Sequence, residues 1–324
     1  MTPRRLGVIG TFVWDRIHGR DPAALVVEEW GGITYALGAL DAALPPDWEV
    51  VPLVKVGHDL AREARAFLGS LRRLAADAAP IEVPFPNNRV TLRYLDSARR
   101  TEVLSGGIPA WSWLGLKPLL TGLDALYINL ISGWELDLET AQLVRQHFAG
   151  PIYLDLHSHL LARQVDGLRT PRHLSPTEIV GWCRTTDLLQ VNEDELALLA
   201  ADPMALAATA IAQGVRALTV TLGARGAVYV VAPGFDALAD RPGAGAQGGA
   251  VRTALLPAVP VLDNGDLDPT GCGDVFGATY FSRLLAGDRI EDAMRTALSA
   301  AARNVRHRGA TGLAHHLRGE LGLT

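Results

Sequence analysis

The chain has 324 residues, 48% of them hydrophobic and 20% charged, with a formal net charge of −5. That balance supports a sizeable buried core, excludes a disordered chain, and disfavours binding to a nucleic-acid phosphate backbone. Cys183 and Cys272 show no CxxC spacing, MTPRRLGVIG lacks the apolar stretch of a cleaved leader, and no run of about 18 apolar residues occurs. A soluble cytoplasmic protein is therefore expected, with no membrane and no nucleic-acid partner.

Short apolar, β-branched runs at 6–9, 50–54, 125–130, 152–156, 188–191 and 217–221 read as buried parallel strands. Helical patterns separate them, among them 59–74, 138–148, 193–200 and 203–214. The alternation predicts an α/β fold, a doubly wound, mostly parallel sheet flanked by helices. Residues 88–104 break the rhythm: they alternate around Asp96-Ser97-Ala98 as an antiparallel hairpin should, and predict a small β lid beside the sheet. The Gly-rich patch 243–249 reads as a loop between strands, so residues 1–324 are expected to form a single domain with this lid.

The stretch Asp268-Pro-Thr-Gly-Cys-Gly-Asp274 runs into an apolar-faced helix that should stop near Gly287. Gly271, Cys272 and Gly273 thus sit at a helix N-terminus, where free N–H groups and the helix dipole favour an anion, and glycine lets a phosphate approach closely. Two readings of Asp274 stand side by side. It is a first-turn residue favoured by the dipole, or it is the base that takes the proton of an incoming hydroxyl in phosphoryl transfer.

DPTGCGD resembles the D-T-x-G-A-G-D signature of the ribokinase-like (PfkB) carbohydrate and nucleoside kinases, with Pro at the second position and Cys for the usual Ala. Other matches follow in order. GVIGTFVWD ending at Asp15 is similar to the family's first strand, Gly31-Gly32 to its substrate-side glycine pair, and Lys55-Val-Gly-His-Asp59 to its K/R-x-G-x-D segment. Asn192-Glu-Asp-Glu195 resembles the N-x-x-E element and Thr221-Leu-Gly-Ala-Arg-Gly226 the T-x-G-x-x-G nucleotide loop.

The resemblance, spanning residues 6 to about 312, implies an ATP-dependent kinase acting on a small-molecule hydroxyl, in first place that of a sugar. It implies that Asp15, Gly31 and Gly32 hold the acceptor, that Asp274 acts as base, and that Gly271, Cys272 and Gly273 form the anion hole. Asn192, Thr221, Gly223, Gly226 and Gly273 would meet the nucleotide. Asn192 and Glu195 would hold Mg2+ through water, although the same pair fits a helix capping box. Asp268, Thr270 and Gly309 would frame a K+ site.

Ala36 falls where the ribose-specific members carry Asn, so a sugar phosphate or a nucleoside stays open as the acceptor. Phe12, Trp14 and Tyr35 are candidates for stacking on it or for core. The nine histidines show no metal-ligand spacing, although His157 follows a strand and can reach the pocket. An NAD-type oxidoreductase lacks its fingerprint, because Gly7-Val-Ile-Gly10 is not G-x-G-x-x-G. A catalytically silent relative is the remaining rival, and an exposed lid edge allows a homodimer.

Overall fold

The computed structural model describes residues 2–18, 26–94, 100–240, 250–262 and 267–320. Its strands are β1 (Arg4–His18), β2 (Val27–Gly32), β3 (Trp48–Gly57), β4 (Ile81–Val83), β5 (Asn88–Tyr94), β6 (Arg100–Ser105), β7 (Ala125–Asn129), β8 (Ile152–Asp155), β9 (Leu161–Arg163), β10 (Arg169–Pro171), β11 (Leu188–Asn192), β12 (Ala217–Thr221), β13 (Ala227–Val231) and β14 (Arg252–Leu256). Its helices are α1 (Ile33–Ala43), α2 (Ala61–Gly69), α3 (Trp113–Leu116), α4 (Leu138–His147), α5 (Pro176–Cys183), α6 (Glu193–Leu199), α7 (Pro203–Ala212), α8 (Cys272–Leu285), α9 (Ile290–Asn304) and α10 (Leu313–Arg318).

The main sheet runs β14-β13-β12-β11-β8-β7-β1-β3-β4, parallel from β4 to β12 and antiparallel at β13 and β14. Its central strands are apolar on both faces, which obliges helices to cover both. One apolar cluster joins the sheet to α1, α2, α8 and α9, and a second joins the opposite face to α4, α5 and α7. The expected doubly wound α/β architecture is what forms.

The first strand differs from expectation in a way that matters. The apolar run 6–9 is only its first part, and the strand passes the expected end at Asp15 to reach His18. Arg4 to Thr11 pair with β3 in the main sheet, whereas Phe12 to Ile17 pair with β2 and Val13 to His18 with β5. One strand therefore serves two sheets, and the lid consists of β2, β1, β5 and β6. The antiparallel pairing of β5 with β6 matches the hairpin expected at 88–104; its turn at 96–98 and the loop 243–249 lie outside the described residues.

The helix expected over 59–74 ends at Gly69. Past it, Asp41 accepts the Arg73 N–H at 2.7 Å, and Val50 bonds Arg73 O and Ala75 N–H at 2.6 and 2.9 Å, so the segment lies along β3 instead of coiling. Among the described residues no single helix is long and apolar enough to cross a membrane.

Candidate active site

The parallel strands end on one side of the sheet, and the lid strands leave it there. A cleft of about 610 Å3 opens between them. In an open α/β sheet this carboxyl edge is where loops and helix N-termini converge.

Most residues singled out from the sequence line this cleft: Asp15 and Gly32 from the lid, Asn192 and Glu195 after β11, Thr221, Gly223 and Gly226 after β12, and Thr270 to Asp274 at the start of α8. Gly31 shapes it from behind, since a Cβ there would stand 1.8 Å from Asp15 Oδ2. The absent side chain is what lets the Asp15 carboxylate lie over β2. Asp15 itself is 7% exposed and sits in mid-strand, three residues before the end of β1.

The turn before α8 is built as its glycines require. Gly271 has φ 74° and caps the helix in the left-handed region, where a Cβ would also strike the Tyr35 ring at 2.2 Å. Nothing lies within 4 Å of a Cβ placed on Gly273, so the helix start faces open cleft. Asn304 donates to Thr270 O at 2.8 Å and to Cys272 Sγ at 3.3 Å, fixing the turn from below. Burial pushes the Cys272 thiol up to about 11, so it packs as a neutral group.

Asp274, third in α8 and 7% exposed, accepts from Asn129 Nδ2 at 2.6 Å. Burial raises its carboxyl to about 7, against the opposing pull of that hydrogen bond. Asn129 ends β7, which lies between β1 and β11 in the sheet, so Asp274 is anchored midway between the Asp15 and Asn192 ends of the cleft.

The sequence reading missed three residues here. Gln190 donates to Asp155 Oδ2 at 2.8 Å and to Gly273 O at 3.1 Å, and accepts from the Tyr153 hydroxyl at 2.5 Å. Asp155 is buried and held well above the ordinary carboxylate range by desolvation, then by the Glu195 and Asp274 charges. Asn129, Asp155 and Gln190 share one signal: each is a polar residue at or near the C-terminal end of an apolar strand.

Asn192 and Glu195 do form the capping box, with Asn192 Oδ1 accepting Glu195 N–H and Glu195 Oε2 accepting Asn192 N–H, each at 2.8 Å. Desolvation raises Glu195 to about 7, with the Asp274 and Asp194 charges adding to it. Asp155, Glu195 and Asp274 bring carboxyl oxygens to one cleft without clustering into a cage for a metal, so Mg2+ beside phosphates would be held there through water. The glycine turn, with room above Gly273, suits the phosphates themselves.

Other residues fall outside. Asp268 and Gly309 do not line the cleft; Asp268 Oδ1 accepts Thr270 N–H at 2.9 Å, and a Cβ on Gly309 would meet the Glu29 carboxyl carbon at 1.9 Å. Thr270 Oγ1 is buried without a hydrogen-bond partner. Lys55 bonds Ala110 O at 2.7 Å, and Asp59 holds Asn87 N–H and Arg89, each at 2.7 Å, so the K-x-G-x-D segment secures the base of the lid. Tyr35 lines the cleft, whereas Phe12 and Trp14 pack edge-on against Trp30 at 5.2 and 5.0 Å. His157 lines the cleft with φ 39°, the one non-glycine residue in that region among those described. No group of three or more His, Cys, Asp or Glu suited to a metal occurs among the described residues.

Residues 168–316 match the family described as pfkB family carbohydrate kinase. The Thermotoga maritima ribokinase structure superposes with a TM-score of 0.68 at 18% identity, covering 98% of each chain. The chain has the ribokinase-like fold of the PfkB proteins. Burkholderia thailandensis nucleoside kinase, in complex with inosine, aligns at 0.68 and 17% identity over 98% of this chain and 95% of its own. Arabidopsis thaliana ribokinase, complexed with ribose and ATP, aligns at 0.66 and 18% over the full length of both. No curated protein matches. The resemblance read from DPTGCGD and its companions thus holds at the level of fold, with the family match confined to residues 168–316.

Proposed function

We propose that the protein transfers the γ-phosphoryl group of MgATP to a hydroxyl of a small molecule carrying a sugar or sugar-like moiety. The observation that carries this reading is Asp274: a buried carboxylate poised near neutral pH, on a glycine-rich helix N-terminus, midway along a cleft with Asp15 at one end and Asn192 to Gly226 at the other. Asp15, seated over Gly31, orients the acceptor together with Gly32 of the cleft wall. Asp274 takes its proton, and the amides from Gly271 through Cys272 to Gly273 face the charge that develops on the transferred group.

Thr221, Gly223 and Gly226 approach the nucleotide, while Asn192 and Glu195, with Asp155 behind, hold Mg2+ through water. Mg2+ would neutralise phosphate charge against this acidic surface. In this reading the whole chain is one kinase unit whose lid is β2, β1, β5 and β6, and the outer edge of β2 offers a second copy a pairing surface. The test is an ADP-release screen with MgATP against sugars, nucleosides and sugar phosphates. Turnover on one class supports the reading, and ATP binding without turnover on any compound makes the chain a silent binding relative.

Two further outcomes belong here. Gly31→Ala places a methyl where Asp15 Oδ2 now lies, so the acceptor KM should rise by about 10- to 100-fold, the worth of hydrogen bonds to a charged group. The KM for ATP should stay put in steady-state kinetics; equal rises in both would remove Asp15 from the acceptor site. Thr270, Asp268 and Gly309 make potassium activation part of this proposal. Rates in potassium should exceed those in tetramethylammonium, and equal rates end it.

A further inference from the structure

We infer that Glu102, carried into the cleft on β6, is a second acceptor-binding carboxylate, and that the acceptor is a nucleoside whose base donates an N–H to it. The inference rests on the reading of the Asp15 end as the acceptor site and narrows the acceptor class.

Side chains alternate across a strand, so those that line the cleft share the inner face of the lid. They are Val13 and Asp15 on β1, Val90 and Leu92 on β5, and Glu102 on β6. Asp15 pairs with Val90, Val90 with Leu104, and Leu92 with Glu102. Glu102 is thus two strands and two residues from Asp15, a Cα separation of about 12 Å by strand geometry. Two polar groups so placed, with the apolar Val90 and Leu92 between them, outreach a single sugar ring. They suit a compound with hydroxyls at one end, a flat apolar face in the middle and a hydrogen-bond donor at the other end.

The surroundings of Glu102 set its chemistry. Leu104 N–H bonds Gly167 O at 2.8 Å, and Val103 pairs antiparallel with Leu168. One residue further in the same register, Glu102 stands opposite Arg169. Arg169 is 8% exposed, and its Nη2 bonds Ser158 O at 2.8 Å. Its Nε and Nη1 are buried without hydrogen-bond partners. The cation is therefore built in behind the lid, with Glu102 the first and Glu135 the second of the charges that offset its desolvation.

Glu102, and not Arg169, lines the cleft. The surface offered to the acceptor is a carboxylate that accepts N–H and O–H groups and repels phosphate, which favours an uncharged acceptor over a sugar phosphate.

The test is calorimetric titration of the intact protein and of Glu102→Gln with adenosine, guanosine, inosine, cytidine, uridine, D-ribose and D-ribose 5-phosphate. At least one nucleoside should bind the wild type about tenfold or more tighter than ribose does, and Glu102→Gln should weaken that nucleoside about tenfold while ribose and ATP affinities hold. Ribose binding as tightly as the best nucleoside, no nucleoside binding, or equal losses for ribose and nucleoside in the variant each overturn the inference. Tightest binding of ribose 5-phosphate also overturns it, because a phosphate would then be preferred on a surface that Glu102 makes acidic. If the variant fails to fold, the wild-type ranking alone decides. ADP release judges the kinase reading separately: nucleoside binding without ADP release sinks phosphoryl transfer and leaves Glu102 in place, whereas ADP release on ribose 5-phosphate alone does the reverse.

Discussion

Asp274→Asn should abolish most turnover while making the protein more stable above neutral pH. Loss of a positioned general base costs about 10²–10⁴-fold in kcat, and ATP binding should survive because the glycine turn and the Thr221 to Gly226 loop are untouched. The stability effect follows from the sign of the shift. Burial raises the Asp274 carboxyl from 3.8 to about 7, so the folded state binds its proton more tightly than the unfolded chain does. Its contribution to stability is intact below pH 4 and is lost as pH rises through 7, where the ionised group opposes folding by an amount on the order of 3–4 kcal/mol.

An amide in its place carries no charge and still accepts from Asn129 Nδ2. The melting temperature of the variant should exceed that of the wild type at pH 8.5, and the gap should narrow as pH falls from 7 towards 4. The same group sets the rate: wild-type kcat/KM for the acceptor should climb through about pH 7 to a plateau, because only the ionised carboxyl of the free protein accepts a proton. A variant with wild-type kcat removes Asp274 from the chemistry. A variant less stable at pH 8.5 would show that its carboxylate is a structural anchor for α8.

The sequence announces this site through its loops and not through its floor. DPTGCGD carries its own signal: two glycines flanking the start of an apolar-faced helix, with an acid in the first turn. Asn129, Asp155 and Gln190, which hold and bias that acid, come from three strands that become neighbours only when the sheet order β7-β8-β11 is known. Each reads locally as one polar residue at the end of an apolar run. The lid was half legible for a similar reason. Alternation exposed the β5–β6 hairpin, but the passage of β1 from one sheet to the other at Phe12 leaves no local mark, because the buried run from Leu6 to Val13 continues across it unbroken. Asp15 was expected to end a strand and instead sits within the lid, where Glu102 and Leu92 share its face. Asn192 and Glu195 kept both meanings: the capping box forms, and the same two side chains line the cleft.

Gly271→Ala should cost both stability and turnover through a single added methyl. The residue holds φ 74°, and alanine in that region costs about 1–2 kcal/mol. The new Cβ would also stand 2.2 Å from Tyr35 Cδ1, and Tyr35 is 2% exposed, so its ring has little room to yield. Either the turn unwinds or α1, which carries Tyr35, shifts. Both outcomes re-aim the N–H groups of Cys272 and Gly273, and misplacing a donor that faces developing charge costs about 10²–10³-fold in kcat. The expected result is a lower melting temperature together with that loss of kcat, measured against a Gly287→Ala control that keeps the positive-φ penalty at φ 93° but meets no neighbour within 4 Å. Equal kinetic effects of the two substitutions would place the anion-binding turn elsewhere. A loss confined to Gly271→Ala would tie the rate to the geometry of this one helix start.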